Sequence, residues 1–193
     1  MKRITVFCGS SSGSYEIYEV IARSVGEELA NDNIEVVYGG AKVGLMGAVA
    51  NGALAKGGQV IGVLPNFLKT KEIAHQGLTE LISVESMHER KTKMNELCDG
   101  VIALPGGFGT LEELFEMLTW AQLGLHSKPI GILNINGYYD SLITLVDTMI
   151  DNGFIKNIHK DMILISNKVD DLIDKMKNYN APIVEKWISK ETL

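Results

Sequence analysis

Cysteine and proline are scarce in this 193-residue sequence, which contains two cysteines and four prolines. Cys8 and Cys98 lie in or beside apolar runs and belong to no CxxC or Cys/His cluster. The sequence therefore predicts two buried free thiols, and it argues against a zinc site or a redox pair. The low proline content beside 20 glycines indicates tight turns and close backbone approach rather than linkers.

Basic residues are also few: 18 lysines and arginines stand against 24 acidic residues, which gives a net charge of −6. General nucleic-acid binding needs a basic stripe, so this balance argues against it. A single small anion held at a local basic site is still compatible with the composition.

Long apolar runs are missing as well. The N-terminal segment MKRITVFCGSSSG has a short apolar run before its glycine and serines, too short for a secretory signal. No stretch reaches the roughly 18 apolar residues of a membrane span. We expect a cytoplasmic protein, and the 46% hydrophobic content makes disorder an unsuitable description.

Short β-rich runs alternate with helical stretches along the chain, a pattern typical of βαβ units. The strand candidates are almost wholly apolar, as expected when helices cover both faces of a parallel sheet. The prediction is one doubly wound Rossmann-like α/β domain over residues 1–180 with a mainly parallel sheet, followed by a tail, 181–193, without assigned structure. Strands are predicted at 4–8, 35–38, 59–64, 81–84, 101–104, 130–133 and 163–165, with a loop at 66–80.

Glycine clusters follow the first, second and fifth predicted strands, at the sheet edge where such folds bind ligands. The fifth-strand cluster, Pro105-Gly106-Gly107-Phe108-Gly109-Thr110, leads into a helix expected to start at about Thr110. Free N–H groups at a helix start favour a phosphate. The fifth-strand cluster is not a Walker A loop. Nor is it the dinucleotide-binding motif GxGxxG, because Glu112 stands where the third glycine would be. The alternative is a tight turn in which Thr110 and Glu113 form a capping box.

Three further segments should face the same edge. Met87-His88-Glu89-Arg90-Lys91 offers two cations to a phosphate, or forms a solvated helix face. Ser10 lies in a GSSSG turn suited to ribose or phosphate contacts, or in a flexible turn with Ser14 as helix cap. Gly40 ends the second strand, where the alternative is a close backbone crossing.

Two motifs in register resemble those of the Lonely Guy (LOG) family. Residues 105–113 are similar to its PGGxGTxxE motif, and residues 87–91 to its MHxRK segment. Residues 38–47 resemble its YGGG-type turn, with Ala41 in place of a third glycine. Residues 120–124 and 136–139 look like further family segments, so that the resemblance covers about residues 3–165.

The resemblance implies a Rossmann-like cytokinin riboside 5′-monophosphate phosphoribohydrolase, a dimer or larger assembly with its site near the dimer interface. Such enzymes hydrolyse the N-glycosidic bond of a nucleoside 5′-monophosphate. The family's catalytic residues correspond to Arg90 and Glu113. Substrate contacts, supplemented by Ser10, Gly40 and Gly106 from the glycine loops, correspond to Glu72, Lys91, Gly107, Phe108, Gly109, Thr110, Leu111, Glu112 and Thr119.

The reaction passes through an oxocarbenium-like centre, which a nearby carboxylate stabilises. Glu113 is the candidate for this role, Arg90 for the 5′-phosphate or the departing base, and backbone amides of the glycine loop for the phosphate. No metal or redox cofactor is expected. One alternative is a non-catalytic nucleotide or molybdenum-cofactor carrier, and another is the pyridoxal-phosphate-dependent decarboxylase once assigned to the family. Whether the base is prenylated, and whether the assembly exceeds a homodimer, stay open.

Overall fold

Seven parallel strands form one sheet in the computed structural model, which describes residues 1–69 and 74–183. The strands are Arg3–Phe7 (β1), Glu35–Tyr38 (β2), Val60–Pro65 (β3), Glu80–Val84 (β4), Gly100–Ala103 (β5), Ile130–Leu133 (β6) and Ile163–Ser166 (β7). Their order is β4-β3-β2-β1-β5-β6-β7, and Thr5 of β1 is in register with Val37 on one side and Val101 on the other.

Helices connect the strands and cover both faces of the sheet. They are Glu16–Asn31 (α1), Gly44–Ala55 (α2), Asn66–Lys69 (α3), Met87–Leu97 (α4), Phe108–Gln122 (α5), Asp140–Asp151 (α6), Asn157–Lys160 (α7) and Val169–Lys177 (α8), with a 3₁₀ turn at Ile135–Gly137. Buried side chains of α1, α2 and α8 form the core on one face. Those of α4 and α5, with partly buried residues of α6, form the core on the other.

Burial on both faces explains why the strands are apolar at successive positions. Val36 packs into the first core and its neighbour Val37 into the second, and both are fully buried. The predicted doubly wound Rossmann-like fold is confirmed, and every strand pairing among the described residues is parallel. Cys8 and Cys98 are buried free thiols, as predicted.

Two predicted helix starts were wrong. α5 begins at Phe108, not near Thr110, because the extended Gly107 is its N-cap residue and the helix nucleates directly after it. α1 begins at Glu16 with Tyr15 as N-cap residue, so Ser14 is not its cap. The predicted loop at 66–80 also contains the short helix α3 and the first residue of β4.

The strand order reverses direction between β1 and β5, which are hydrogen-bonded neighbours. Their following helices, α1 and α5, pack on opposite faces of the sheet. A crevice therefore opens between the loops beyond the carboxyl ends of β1 and β5, where doubly wound folds bind ligands. None of the described helices is both long enough and apolar enough to cross a bilayer. The predicted tail at 181–193 falls mostly outside the described residues and stays a prediction.

Candidate active site

The loops after β1 and β5 touch through their backbones. The N–H of Gly9 donates to the carbonyl of Pro105 at 3.0 Å. A Cβ on Gly106 would lie 2.1 Å from Thr110 Oγ1 and 2.8 Å from the Gly9 nitrogen, so that position has no room for a side chain. Gly106 thus lets the two loops approach each other and fixes the start of α5.

The N-terminus of α5 is open. No side chain caps it at Gly107, and no acceptor in the described part of the chain takes the N–H groups of residues 107 to 110. A Cβ built on Gly107 or on Gly109 would meet no atom within 4 Å. The unpaired N–H groups and the helix dipole together make this end suitable for an anion.

The capping box considered for Thr110 and Glu113 is wrong. Because α5 starts at Phe108, Thr110 is the third helical residue and Glu113 lies in the second turn, too far along to cap the helix. The Glu113 carboxylate therefore does not cap α5.

An open cavity of about 310 Å³ lies beside this helix start. The exposed Ser10, predicted as a substrate contact, is part of its wall. The cavity is bounded by the two touching loops and by α1, α2 and the turn after β6, through Gly9, Ser10, Ser11, Ser12, Gly13, Tyr18, Leu45, Pro105, Gly106, Gly107 and Tyr138.

Arg90 is buried although it lies on α4 in a run of charged residues, with 9% of its surface exposed. Its Nε donates to the carbonyl of Val63 at 3.1 Å, which ties the guanidinium to the carboxyl end of β3. Its Nη1 lies 3.8 Å from Glu113 Oε1. The MHxRK segment therefore brings a cation to the ligand-binding edge as predicted, and the alternative of a solvated helix face does not describe Arg90.

Gly39 provides the space for this arginine. A Cβ on Gly39 would stand 1.8 Å from Arg90 Nη2. Gly40, the predicted substrate contact, makes a different interaction: its carbonyl accepts a hydrogen bond from the His75 N–H at 3.0 Å. The sequence did not single out Gly39, and the substrate contact predicted for Gly40 stays a prediction. Periodicity offered one signal, since alternate strand residues point to opposite faces.

Glu113 is buried to the same degree as the arginine, with 11% of each side chain exposed. Burial raises the pKa of the Glu113 carboxyl to about 7, and the nearby Arg90 opposes that rise. Burial also raises the pKa of the adjacent Cys8 thiol, with the charge of Glu113 as a second cause. At neutral pH the site therefore combines a fixed cation, a carboxyl close to its titration midpoint and a protonated thiol.

Lys91, the next residue of α4, is bonded to two glutamates of α5. Its Nζ donates to Glu112 Oε1 at 2.5 Å and to Glu116 Oε1 at 3.1 Å. The hydrogen bond to Glu112 raises the pKa of the Lys91 ammonium. Thr119 is exposed, and its hydroxyl donates to the Phe115 carbonyl at 2.7 Å. It follows Glu112 by seven residues, so these two share a helix face that is not the face of Glu113.

The remaining predicted contacts are distributed around the helix start. Phe108 is 94% exposed, whereas Leu111 is partly buried against the core of α4 and α5. Glu72 lies outside the described residues. Within the described ranges no three His, Cys, Asp or Glu side chains come together as a metal site would require.

The chain is similar to a known protein family and to proteins of two plants. The family model described as "Possible lysine decarboxylase" matches residues 46–176. The cytokinin riboside 5′-monophosphate phosphoribohydrolase LOG5 of Arabidopsis thaliana is 44% identical over 189 residues, covering 98% of this chain and 82% of that protein. The probable cytokinin riboside 5′-monophosphate phosphoribohydrolase LOGL2 of Oryza sativa subsp. japonica is 45% identical, covering 98% and 77%.

Solved structures with the same fold include two molybdenum cofactor proteins. The molybdenum cofactor binding protein of Rippkaea orientalis has a TM-score of 0.70 and 22% identity, covering 92% of this chain and 96% of that one. The molybdenum cofactor carrier protein of Chlamydomonas reinhardtii also has a TM-score of 0.70 and 22% identity, covering 91% and 96%. At this identity the likeness concerns the fold alone.

Proposed function

Since the chain belongs to the LOG family, we propose that it hydrolyses the N-glycosidic bond of cytokinin riboside 5′-monophosphates, releasing the free base and ribose 5-phosphate. The substrates are of the N6-isopentenyl or zeatin type, with AMP as the unsubstituted member of the class. The observation that carries the proposal is the buried Arg90–Glu113 pair on α4 and α5, two turns or less from the open N-terminus of α5.

The substrate phosphate binds at the helix start. The unpaired N–H groups of Gly107, Gly109 and Thr110 supply donors, and the absence of a Cβ on the two glycines leaves room for the phosphate oxygens. The proposed set of substrate contacts also includes Ser10, Gly40, Gly106, Phe108, Leu111, Glu72, Lys91, Glu112 and Thr119.

Cleavage leaves positive charge on the ribose anomeric carbon, as in glycoside hydrolysis. The Glu113 carboxylate stabilises that charge and aligns the ribose hydroxyls or the attacking water. Arg90 presents its planar guanidinium, a fork of N–H donors, to the phosphate or the departing base. The 3.8 Å between Arg90 Nη1 and Glu113 Oε1 leaves both groups with hydrogen-bonding capacity for a substrate.

We also propose a cytoplasmic homodimer. The support is an incompletely covered surface around α5, where Phe108 is 94% and Met87 40% exposed and Trp120 is only partly buried. Sedimentation equilibrium of the purified protein tests the assembly, and a monomer at micromolar concentration contradicts it.

The test of the function is release of base from AMP and from isopentenyladenosine 5′-monophosphate by metal-stripped protein, followed by chromatography. Release from either supports the hydrolase, and the ratio of the two rates measures the influence of the prenyl group. Tight AMP binding without release contradicts the hydrolase and supports a nucleotide carrier.

A further inference from the structure

The turn between β6 and α6 has an unusual backbone. Asn136 and Gly137 are consecutive and both have positive φ, 52° and 68°. A left-handed asparagine costs free energy that the surrounding contacts must offset. Here Asn134 does so on both sides of the turn: its Oδ1 accepts from the Tyr139 N–H, and its Nδ2 donates to Asp140 Oδ1, each at 2.7 Å.

The turn delivers two tyrosines to the loop after β5. The Tyr139 hydroxyl donates to the carbonyl of Leu104 at 2.6 Å, and the Tyr138 hydroxyl donates to the carbonyl of Gly106 at 2.5 Å. Since Gly9 holds the carbonyl between them, three consecutive carbonyls of this loop have partners in other segments. The loop is therefore fixed from outside before α5 begins.

The bond from Tyr138 has a directional consequence. No described peptide is cis, so the C=O of Gly106 and the N–H of Gly107 point in opposite directions within their shared peptide plane. Holding the carbonyl against Tyr138 turns the Gly107 N–H away from it, and that N–H has no acceptor among the described residues. It joins the other free N–H groups at the start of α5.

We propose that Tyr138 is a positioning residue for phosphate binding: its hydroxyl orients the Gly106–Gly107 peptide so that the Gly107 N–H is presented to the phosphate. This inference rests on the proposed function only in taking the phosphate of the substrate as the anion. In the reaction, Tyr138 should strengthen the binding of phosphate-bearing ligands. It acts through the Gly106–Gly107 peptide and takes part in no chemical step carried out by Arg90 and Glu113.

The ring of Tyr138 can be kept while its hydroxyl is removed. It packs edge-to-face on Tyr18 with centroids 5.9 Å apart and on Tyr139 at 5.0 Å. Tyr138→Phe retains these contacts and leaves the Gly106 carbonyl without its donor. Tyr15→Phe is the matched control, because Tyr15 lies at the far end of the same row of rings, 5.9 Å from Tyr18.

The experiment measures calorimetric binding of ribose 5-phosphate, together with KM and kcat for AMP and the melting temperature. For Tyr138→Phe we expect binding of ribose 5-phosphate to weaken about 3- to 10-fold, the range for one lost hydrogen bond. KM for AMP should rise by a similar factor, kcat should change less, and Tyr15→Phe should match the wild type. The comparison with kcat and melting temperature separates orientation of the peptide from general loosening of the fold.

Unchanged ribose 5-phosphate affinity in Tyr138→Phe, or equal losses in both variants, would overturn the proposal even if the wild type releases base. A wild type that binds ribose 5-phosphate but releases no base contradicts the proposed hydrolase, and a selective loss of binding in Tyr138→Phe still supports the role of Tyr138. Absence of ribose 5-phosphate binding by the wild type overturns the role of Tyr138.

Discussion

Two neighbouring residues of α4 meet two neighbouring glutamates of α5 in contrasting ways. Lys91 Nζ contacts Glu112 Oε1 at 2.5 Å, where 14% of the lysine side chain and 56% of the glutamate side chain are exposed. Arg90 Nη1 stays 3.8 Å from Glu113 Oε1, although both side chains are buried, with only 11% of each exposed. The pair with one exposed partner is in direct contact (the closed pair), whereas the pair with two buried partners is separated by 3.8 Å (the open pair).

This difference separates structural from functional use of charge. An ion pair with one solvent-exposed partner contributes modestly to stability, and its donors and acceptors are occupied by each other. Two buried charges that do not fully satisfy each other carry a desolvation cost, and such an arrangement is common where a ligand completes the bonding. The open pair is therefore the place to look for catalysis, and the closed pair links α4 to α5.

The largest expected effect comes from breaking the open pair. Glu113→Gln and Arg90→Ala should each lower kcat for base release by about 10²- to 10⁴-fold, the range for loss of a group that acts on transition-state charge or protons. Glu112→Gln applies the same change to the closed pair and should cost less than about 5-fold. Wild-type turnover in Glu113→Gln with a wild-type melting curve would remove Glu113 from the mechanism.

The second effect comes from displacing Arg90 without changing it. Gly39→Ala puts a Cβ 1.8 Å from Arg90 Nη2, so kcat/KM should fall about 10- to 100-fold, as expected for a misplaced catalytic group. If Gly39 acts only through the arginine, the double variant Gly39→Ala/Arg90→Ala is no slower than Arg90→Ala alone. Additive losses in the double variant would contradict that explanation.

The pH dependence sharpens the comparison further, because the Glu113 carboxyl titrates at about 7 and its charged form is the active one. The kcat/KM for base release should rise up to tenfold per pH unit below 7 and level off above it. The substrate phosphate also titrates, near about pH 6, and the profile of Glu113→Gln isolates that step. An unchanged profile in this variant contradicts the assignment.

The free energy of unfolding should also depend on pH through the Glu113 carboxyl, and the direction of that dependence follows from its pKa shift. The pKa of Glu113 in the folded protein, about 7, lies above its ordinary value of 4.5. Its contribution to stability is therefore complete below pH 4.5 and is lost as the pH rises through 7. Glu113→Gln should raise the melting temperature relative to wild type at pH 8 and not at pH 4.5, as measured by calorimetry at both values.

The smallest effect is expected from the closed pair. Lys91→Met should lower the free energy of unfolding by about 1 to 2 kcal/mol, because the exposed Glu112 becomes hydrated whereas the less exposed Glu116 loses its cation. A rise in KM for AMP of a few-fold would agree with a substrate contact by Lys91, and denaturant titration beside kinetics measures both effects. A loss of turnover as large as that of Arg90→Ala would contradict the distinction between the two pairs.

The sheet was predictable because its strands are buried on both faces and read as continuous apolar runs. The glycine loops and the position of Arg90 and Glu113 at one edge followed from the strand–helix alternation and the family resemblance. The start of α5 was not predictable, because Thr110-x-x-Glu113 is a good local cap and tertiary contacts at Gly106 decide against it. The roles of Gly39 and Tyr138 depend on contacts across 51 and 32 residues, which no local pattern contains.

The empty surroundings of Gly107 and Gly109 have a consequence for how this sequence can vary. Alanine at either position meets no atom of the described chain, so cellular abundance should tolerate the change even where turnover does not. Gly106 adjoins Thr110 and the backbone nitrogen of Gly9, which a methyl group would strike, so alanine there disturbs the protein itself. A mutational survey that scores abundance and activity separately would therefore divide these glycines into those that serve the fold and those kept vacant for a guest molecule.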